Sequence, residues 1–256
     1  MTPLATTTVT SLFIGLTAGA FGGLIGIGGG IIMIPLMVEI LKLSQHRAHG
    51  TSLLALVFTG ISGAITYASN GSVDFTGAAL LAVTAVLTAP LGARYCNALT
   101  EKILKKYFGA FLIFCSVLLF LKPCLANFIG IVPGYAKIMI LLAAGAITGF
   151  LSGMMGVGGG TVMIPVMVIL TGFSQHIAQG TSLLVMVPTG AIGAFAHWKM
   201  DNIEKGLLGG LIPGIVIGTY LGGNIANIIP NDPLRLIFAV ILIFIGARYF
   251  ITSSPE

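Results

Sequence analysis

One long phrase occurs twice in this chain. GIGGGIIMIPLMV, beginning at Gly26, returns as GVGGGTVMIPVMV beginning at Gly156, and SQHRAHGTSLL from Ser44 returns as SQHIAQGTSLL from Ser174. Between residues 26–54 and 156–184 about 18 of 29 positions are identical at a constant offset of 130 residues, which marks an internal duplication. Such a chain must fold as two copies of one unit packed on each other. The reading is a first repeat over residues 1–126 and a second over 127–256, joined in a single domain.

Composition says where the duplicated unit lives. Of 256 residues, 56% are hydrophobic and 7% charged, against roughly 25% charged in soluble domains. No Asp, Glu, Lys or Arg occurs between Lys137 and Lys199, a run too long for one buried helix of a soluble core. The chain is therefore expected to be an all-α integral membrane protein, with the lipid bilayer as its surroundings. Its 36 glycines fit closely packed membrane helices, whose small-residue faces also leave a homodimer open. The net charge of +5 reads as topology, not as a nucleic-acid footprint. MTPLATTTVT has no basic residue ahead of its apolar stretch, so the first segment is expected to be retained rather than cleaved.

Apolar runs and punctuation predict helices over 11–25, 31–41, 45–69, 75–95 and 102–121, with the set repeated at the same offset. The first two would span roughly 24 and 17 Å, short of a hydrocarbon core of about 30 Å. They read as half-helices meeting at the glycines in a re-entrant hairpin. Basic residues favour that arrangement. It gathers Lys42, Arg47, Arg94, Lys102, Lys105, Lys106, Lys199, Lys205 and Arg248 on one side and leaves Lys122, Lys137 and Arg235 opposite, nine against three, whereas a single crossing divides them seven against five. The expectation is two inverted repeats of about five helices, hairpins entering from opposite faces, and both termini in the cytoplasm.

The glycine tips suit an anion. A helix follows each cluster, so its first N–H groups and the positive end of its dipole point at the tip. The expected contacts are Gly28, Gly29 and Gly30 in one copy and Gly158, Gly159 and Gly160 in the other. No Lys-Ser or Lys-Thr follows, which removes a phosphate-binding loop. Pro35 and Pro165 are expected in the first turns of the half-helices, where a missing N–H costs little.

In the second phrase Gln45, His49 and Ser52 share one helix face, as do Gln175, Gln179 and Ser182, and Thr51 and Thr181 add hydroxyls. These are the candidate side-chain contacts to a substrate. His46, His49 and His176 are candidates for proton coupling, because imidazole titrates near neutral pH. Almost no carboxylate lies at membrane depth, which disfavours an inorganic cation. The sequence shows no catalytic constellation, so a carrier is expected rather than an enzyme, without cofactor or bound metal. Two rival readings stand beside it: a soft-metal permease using the Met33–Met37 and Met163–Met167 pairs, and a sulfur-transfer protein using Cys96, Cys115 and Cys124. Met pairs on apolar helices are more often packing.

These motifs, with LGARY from Leu91 opposite LGGNI from Leu221, resemble the sulfite exporter TauE/SafE family along essentially the whole chain. The resemblance implies a multi-pass permease of the bacterial inner membrane for a small sulfur-containing anion such as sulfite, thiosulfate, sulfoacetate or a related sulfonate. That family's usual pattern is apolar at the positions of His49 and Gln179, which marks these two residues for substrate choice.

Overall fold

A computed structural model describes residues 3–95, 109–110, 112–121, 134–155 and 158–252. The described residues form ten helices: α1 (Pro3–Ile25), α2 (Gly30–Glu39), α3 (Gln45–Ser69), α4 (Phe75–Tyr95), α5 (Leu112–Leu121), α6 (Gly134–Met155), α7 (Gly160–Leu170), α8 (Gln175–Lys199), α9 (Leu208–Ile228) and α10 (Asn231–Thr252). A short 3-10 turn, Lys205–Leu207, leads into α9. Among the described residues six stretches are long and apolar enough to cross a membrane: Thr8–Ile25, His46–Ser69, Phe75–Gly92, Gly134–Gly153, Gln175–Lys199 and Lys205–Ile228. The all-α membrane class follows.

Local signals set the boundaries. Ser44 and Ser174 cap α3 and α8, their hydroxyls accepting from the N–H of Arg47 at 3.4 Å and of Ile177 at 3.3 Å. One expectation needs correction. The first helix is not short, because α1 begins at Pro3 and takes the threonine tract into its first turns. At each glycine tip a full-length helix, α1 or α6, is followed by a half-length one, α2 or α7. Pro35 and Pro165 fall in the second turn of α2 and α7 rather than the first.

Packing between the halves is reciprocal. α1 lies along α9, and its repeat mate α6 lies along α4, the mate of α9. Both pairs run parallel: Gly15, Gly19 and Gly23 meet Leu211, Ile215 and Thr219, while Gly145, Gly149 and Gly153 meet Leu81, Ala85 and Ala89. The two seams use different chemistry. Gly210, Gly214, Gly218 and Gly222 bring the α9 backbone against α1 carbonyls with no room for a Cβ. At the positions matching Gly214 and Gly218, Thr84 and Thr88 donate to Leu142 O and Ala146 O across the α4–α6 seam, both at 2.8 Å.

α3 and α8 pack at the centre and run antiparallel: Gly60 meets Leu183 and Val187, and Gly190 meets Leu53 and Val57. Each copy also ties down a loop of the other. Thr51 Oγ1 accepts from Glu204 N and Thr181 Oγ1 from Asp74 N, both at 3.0 Å. Arg47 adds an ion pair to Glu204 at 2.7 Å, half exposed and so worth at most about 1 kcal/mol.

Candidate functional site

The two glycine tips touch. Gly26, Gly28 and Gly29 have φ of 77°, 91° and 73°, and Gly158 has φ of 83°, left-handed values that only glycine adopts cheaply. Ile32 N and Met33 N bond back to Gly29 O at 3.1 and 3.0 Å, and Val162 N and Met163 N to Gly159 O at 3.2 and 3.0 Å. In each copy a helix therefore starts at the tip, and the N–H groups of its first two residues have no carbonyl one turn below.

Contact between the tips is close. A Cβ on Gly158 would stand 2.8 Å from Ile27 O, and one on Gly160 would stand 3.0 Å from Ile27 Cα and 2.8 Å from Met186 Cε. Leu56 and Met186, repeat mates that are both fully buried, close over Gly28.

Beside the first tip lies a polar face of α8. The carbon stem of Gln179 packs on Gly26, where a Cβ would meet its Cβ at 2.7 Å. The Tyr67 hydroxyl stands 2.8 Å from Gln179 Oε1 and 2.9 Å from Gly23 O, tying α1, α3 and α8 together. Gln179 is fully buried, and its Nε2 has no partner. One turn earlier Gln175 is 2% exposed, and neither its Nε2 nor its Oε1 has a partner. A buried amide left unpaired costs about 1–3 kcal/mol. Gln175 wholly and Gln179 in part fall under this cost, one turn apart on one helix face, and among the described residues they are the candidate contacts left with unpartnered side-chain atoms.

The other expected contacts are engaged within the protein. Ser182 Oγ lies 2.8 Å from both Gly26 O and Gln179 O, which fixes the tip to α8. Ser52 Oγ donates to His49 O at 2.8 Å. Thr51 and Thr181 hold the loops described above. Gln45 opens α3, and its side chain lies outside the described residues.

Histidines mark the opposite end of the α3–α8 pair. His46 is exposed, His49 is half-buried one turn along, and His197 on α8 interacts electrostatically with His46. His197 Nδ1 is buried without a partner. His176 stands apart from them, its Nδ1 2.8 Å from Asn231 Oδ1 and its Nε2 3.0 Å from the carbonyls of Ala226 and Ile229.

The remaining candidates fall into packing roles. Met33, Met37, Met163 and Met167 are buried in apolar clusters. Cys115 is buried, and Cys96 and Cys124 lie outside the described residues. Among the described residues no three His, Cys, Asp or Glu side chains gather as metal ligands. Glu39 is at the surface, 4.0 Å from Arg248. Sequence reading missed Tyr67, His197 and the Leu56–Met186 pair as parts of the site. The signal was present in the repeat, since Tyr67 and His197 stand at matched positions, as do Leu56 and Met186.

Comparisons with known proteins agree with this architecture. A family model described as sulfite exporter TauE/SafE matches residues 11–249. The chain is 28% identical to the probable membrane transporter protein YunE of Bacillus subtilis, over 94% of this chain and 96% of the relative. It is 27% identical to YdhB of the same organism, over 85% and 89%. A probable membrane transporter protein of Haemophilus influenzae is 24% identical over 94% and 97%.

Proposed function

The chain belongs to the sulfite exporter TauE/SafE family, a family of membrane transporters, and from that premise we propose that it carries one small sulfur-containing oxyanion, such as sulfite, thiosulfate or sulfoacetate, across the bacterial inner membrane. The observation that carries the site is the set of buried amide atoms without a partner, Nε2 and Oε1 of Gln175 and Nε2 of Gln179, one turn apart on α8, where Gln179 packs on Gly26. Backbone N–H groups at the two tips supply the remaining donors. On the resemblance, Gln179, like His49, departs from a family pattern that is apolar at these positions, which supports a part in substrate choice.

The halves are read as inverted repeats, 1–126 and 127–256, in one transport domain. The antiparallel contact of the equivalent helices α3 and α8 and the reciprocal packing of α1 on α9 and α6 on α4 support this. The structure then represents an occluded state, with Leu56 and Met186 as the barrier that opens toward either side as the halves rock. Both termini face the cytoplasm. His46, His49 or His176 would take up the proton if transport is proton-coupled. The buried placement of both Met pairs gives the soft-metal alternative no support.

Flux into proteoliposomes holding the purified full-length chain tests the reading. Sulfite, thiosulfate or sulfoacetate should cross faster than in protein-free vesicles, and Gln179→Leu should lower the rate at least about tenfold, a loss of roughly 1.4 kcal/mol of binding. Passage of Cu(I) with no passage of any sulfur anion would contradict it.

A further inference from the structure

Resting on the anion-permease reading, we infer that the Gln175–Gln179 site takes its oxyanion in the protonated, singly charged form, so that for sulfite the ligand is hydrogensulfite. Two observations carry this. First, among the described residues every polar side chain classed as buried is neutral: serines, threonines, Gln175 and Gln179. The charged groups at the α8 end where these amides lie each have a partner, with one N–H left over. Arg235 on α10 pairs through Nη1 with Asp232 at 2.9 Å while its buried Nε has no partner, Asp74 Oδ1 accepts from Gly77 N at 2.7 Å, and Lys137 on α6 sits 4.3 Å over the Phe173 ring. His176 is held by Asn231 and two backbone carbonyls. From α3 the facing titratable group is the Tyr67 phenol, bonded to Gln179 and Gly23; α7 contributes only apolar residues and a threonine. A dianion would meet one spare cationic donor, Arg235 Nε, on a guanidinium whose charge is already offset by Asp232, and because desolvation grows with the square of the charge its penalty is about four times that of a monoanion.

Second, the free atoms are of both kinds. Gln175 presents an unpartnered donor and an unpartnered acceptor together. A fully ionised oxyanion only accepts, so it satisfies Nε2 and faces Oε1 with like partial charge. A protonated oxyanion also donates its hydroxyl and satisfies both atoms. A site selecting a dianion would be expected to replace these amides with Arg, whose guanidinium only donates.

Ligand-induced thermal stabilisation of the detergent-purified full-length chain, measured across pH, tests the inference. The probes are sulfite, which loses its second proton near neutral pH, methanesulfonate, a monoanion with no proton to donate, and sulfate, a dianion. Expected is a sulfite affinity that falls about tenfold per pH unit on the alkaline side, following the protonated fraction, with methanesulfonate weaker and level across pH and sulfate inert. Gln175→Leu should remove the advantage of sulfite over methanesulfonate while leaving the ligand-free protein as stable or more stable, since an unpaired buried amide has been replaced by an apolar group. Gln175→Met, nearly isosteric, repeats the measurement if the leucine does not fit. Sulfite affinity that is flat or rising with pH overturns the inference alone. So does a Gln175 variant with unchanged sulfite affinity, which would mean that the amide holds only water. Thiosulfate and sulfoacetate, dianions at neutral pH, are run alongside: stabilisation by either with none by sulfite overturns the inference alone, and no stabilisation by any of these anions at any pH overturns the permease reading together with the inference.

Discussion

The two ends of the α3–α8 pair are built on one repeat and carry different chemistry. At one end Tyr67 of α3 meets Gln179 of α8 through a 2.8 Å hydrogen bond. At the other, the matched positions are His197 of α8 and His49 of α3, with His46 close enough to His197 to interact electrostatically. The first end carries a phenol and an amide, and the second gathers three imidazoles. The duplication thus kept the backbone frame and changed the side chains at its two ends. The same divergence runs through the seams, where glycines on α9 stand opposite α1 and threonines at the matched positions of α4 bond to α6.

Making the seams alike should have the largest effect. Gly218→Thr copies the residue that serves at position 88, yet on α9 its Cβ has no space against Leu16 O and Ala20 N. Overpacking of this kind costs about 3 kcal/mol or more, so the variant should be lost from the folded, monodisperse fraction on size-exclusion chromatography. Tyr67→Phe comes next. It leaves Gln179 Oε1 and Gly23 O without their shared donor, and the unfolding temperature should fall by the equivalent of about 1–3 kcal/mol.

Converting the second end into the first is gentler and more informative. The double substitution His49→Gln with His197→Tyr rebuilds the Tyr–Gln pair at the histidine end, and stability should stay within about 1 kcal/mol of the parent. If that end carries the coupling proton, the double variant should transport at a rate that no longer responds to an imposed pH gradient. Smallest is the effect at the turns, where Lys42 and Asp201 adopt φ of 54° and 53° while their repeat mates are Gly172 and Gly71. Lys42→Gly should raise stability by a few tenths of a kcal/mol, the relief of left-handed strain offset by glycine's extra entropy when unfolded. Denaturation in detergent would register it.

How far the sequence could be read depended on the range of the interaction. α3, α4 and α8 occupy the predicted residues, since serine caps and polar turns are local signals. α1 ran past its predicted start because Thr6, Thr7 and Thr8 look like a polar leader yet join the helix. The tips were legible as glycine pairs, because the requirement for positive φ is written in the residue type. What each hydroxyl does was not. Thr51 and Thr181 looked like substrate donors, and their partners are the loops at Glu204 and Asp74, more than 100 positions away in the chain. Tyr67 escaped for the same reason: nothing next to it in sequence announces that its hydroxyl reaches Gln179 and Gly23 on two other helices.

The most direct test locks the contact over the tips. In a background with Cys96, Cys115 and Cys124 replaced by Ser, Leu56→Cys and Met186→Cys place thiols on the two side chains that close over Gly28. Sulfite flux into proteoliposomes is then measured before cross-linking with a short bifunctional thiol reagent, after it, and again after reduction. The account predicts flux in the reduced protein, near-complete loss when the two halves are joined, and recovery on reduction. Undiminished sulfite flux through the cross-linked protein would contradict it.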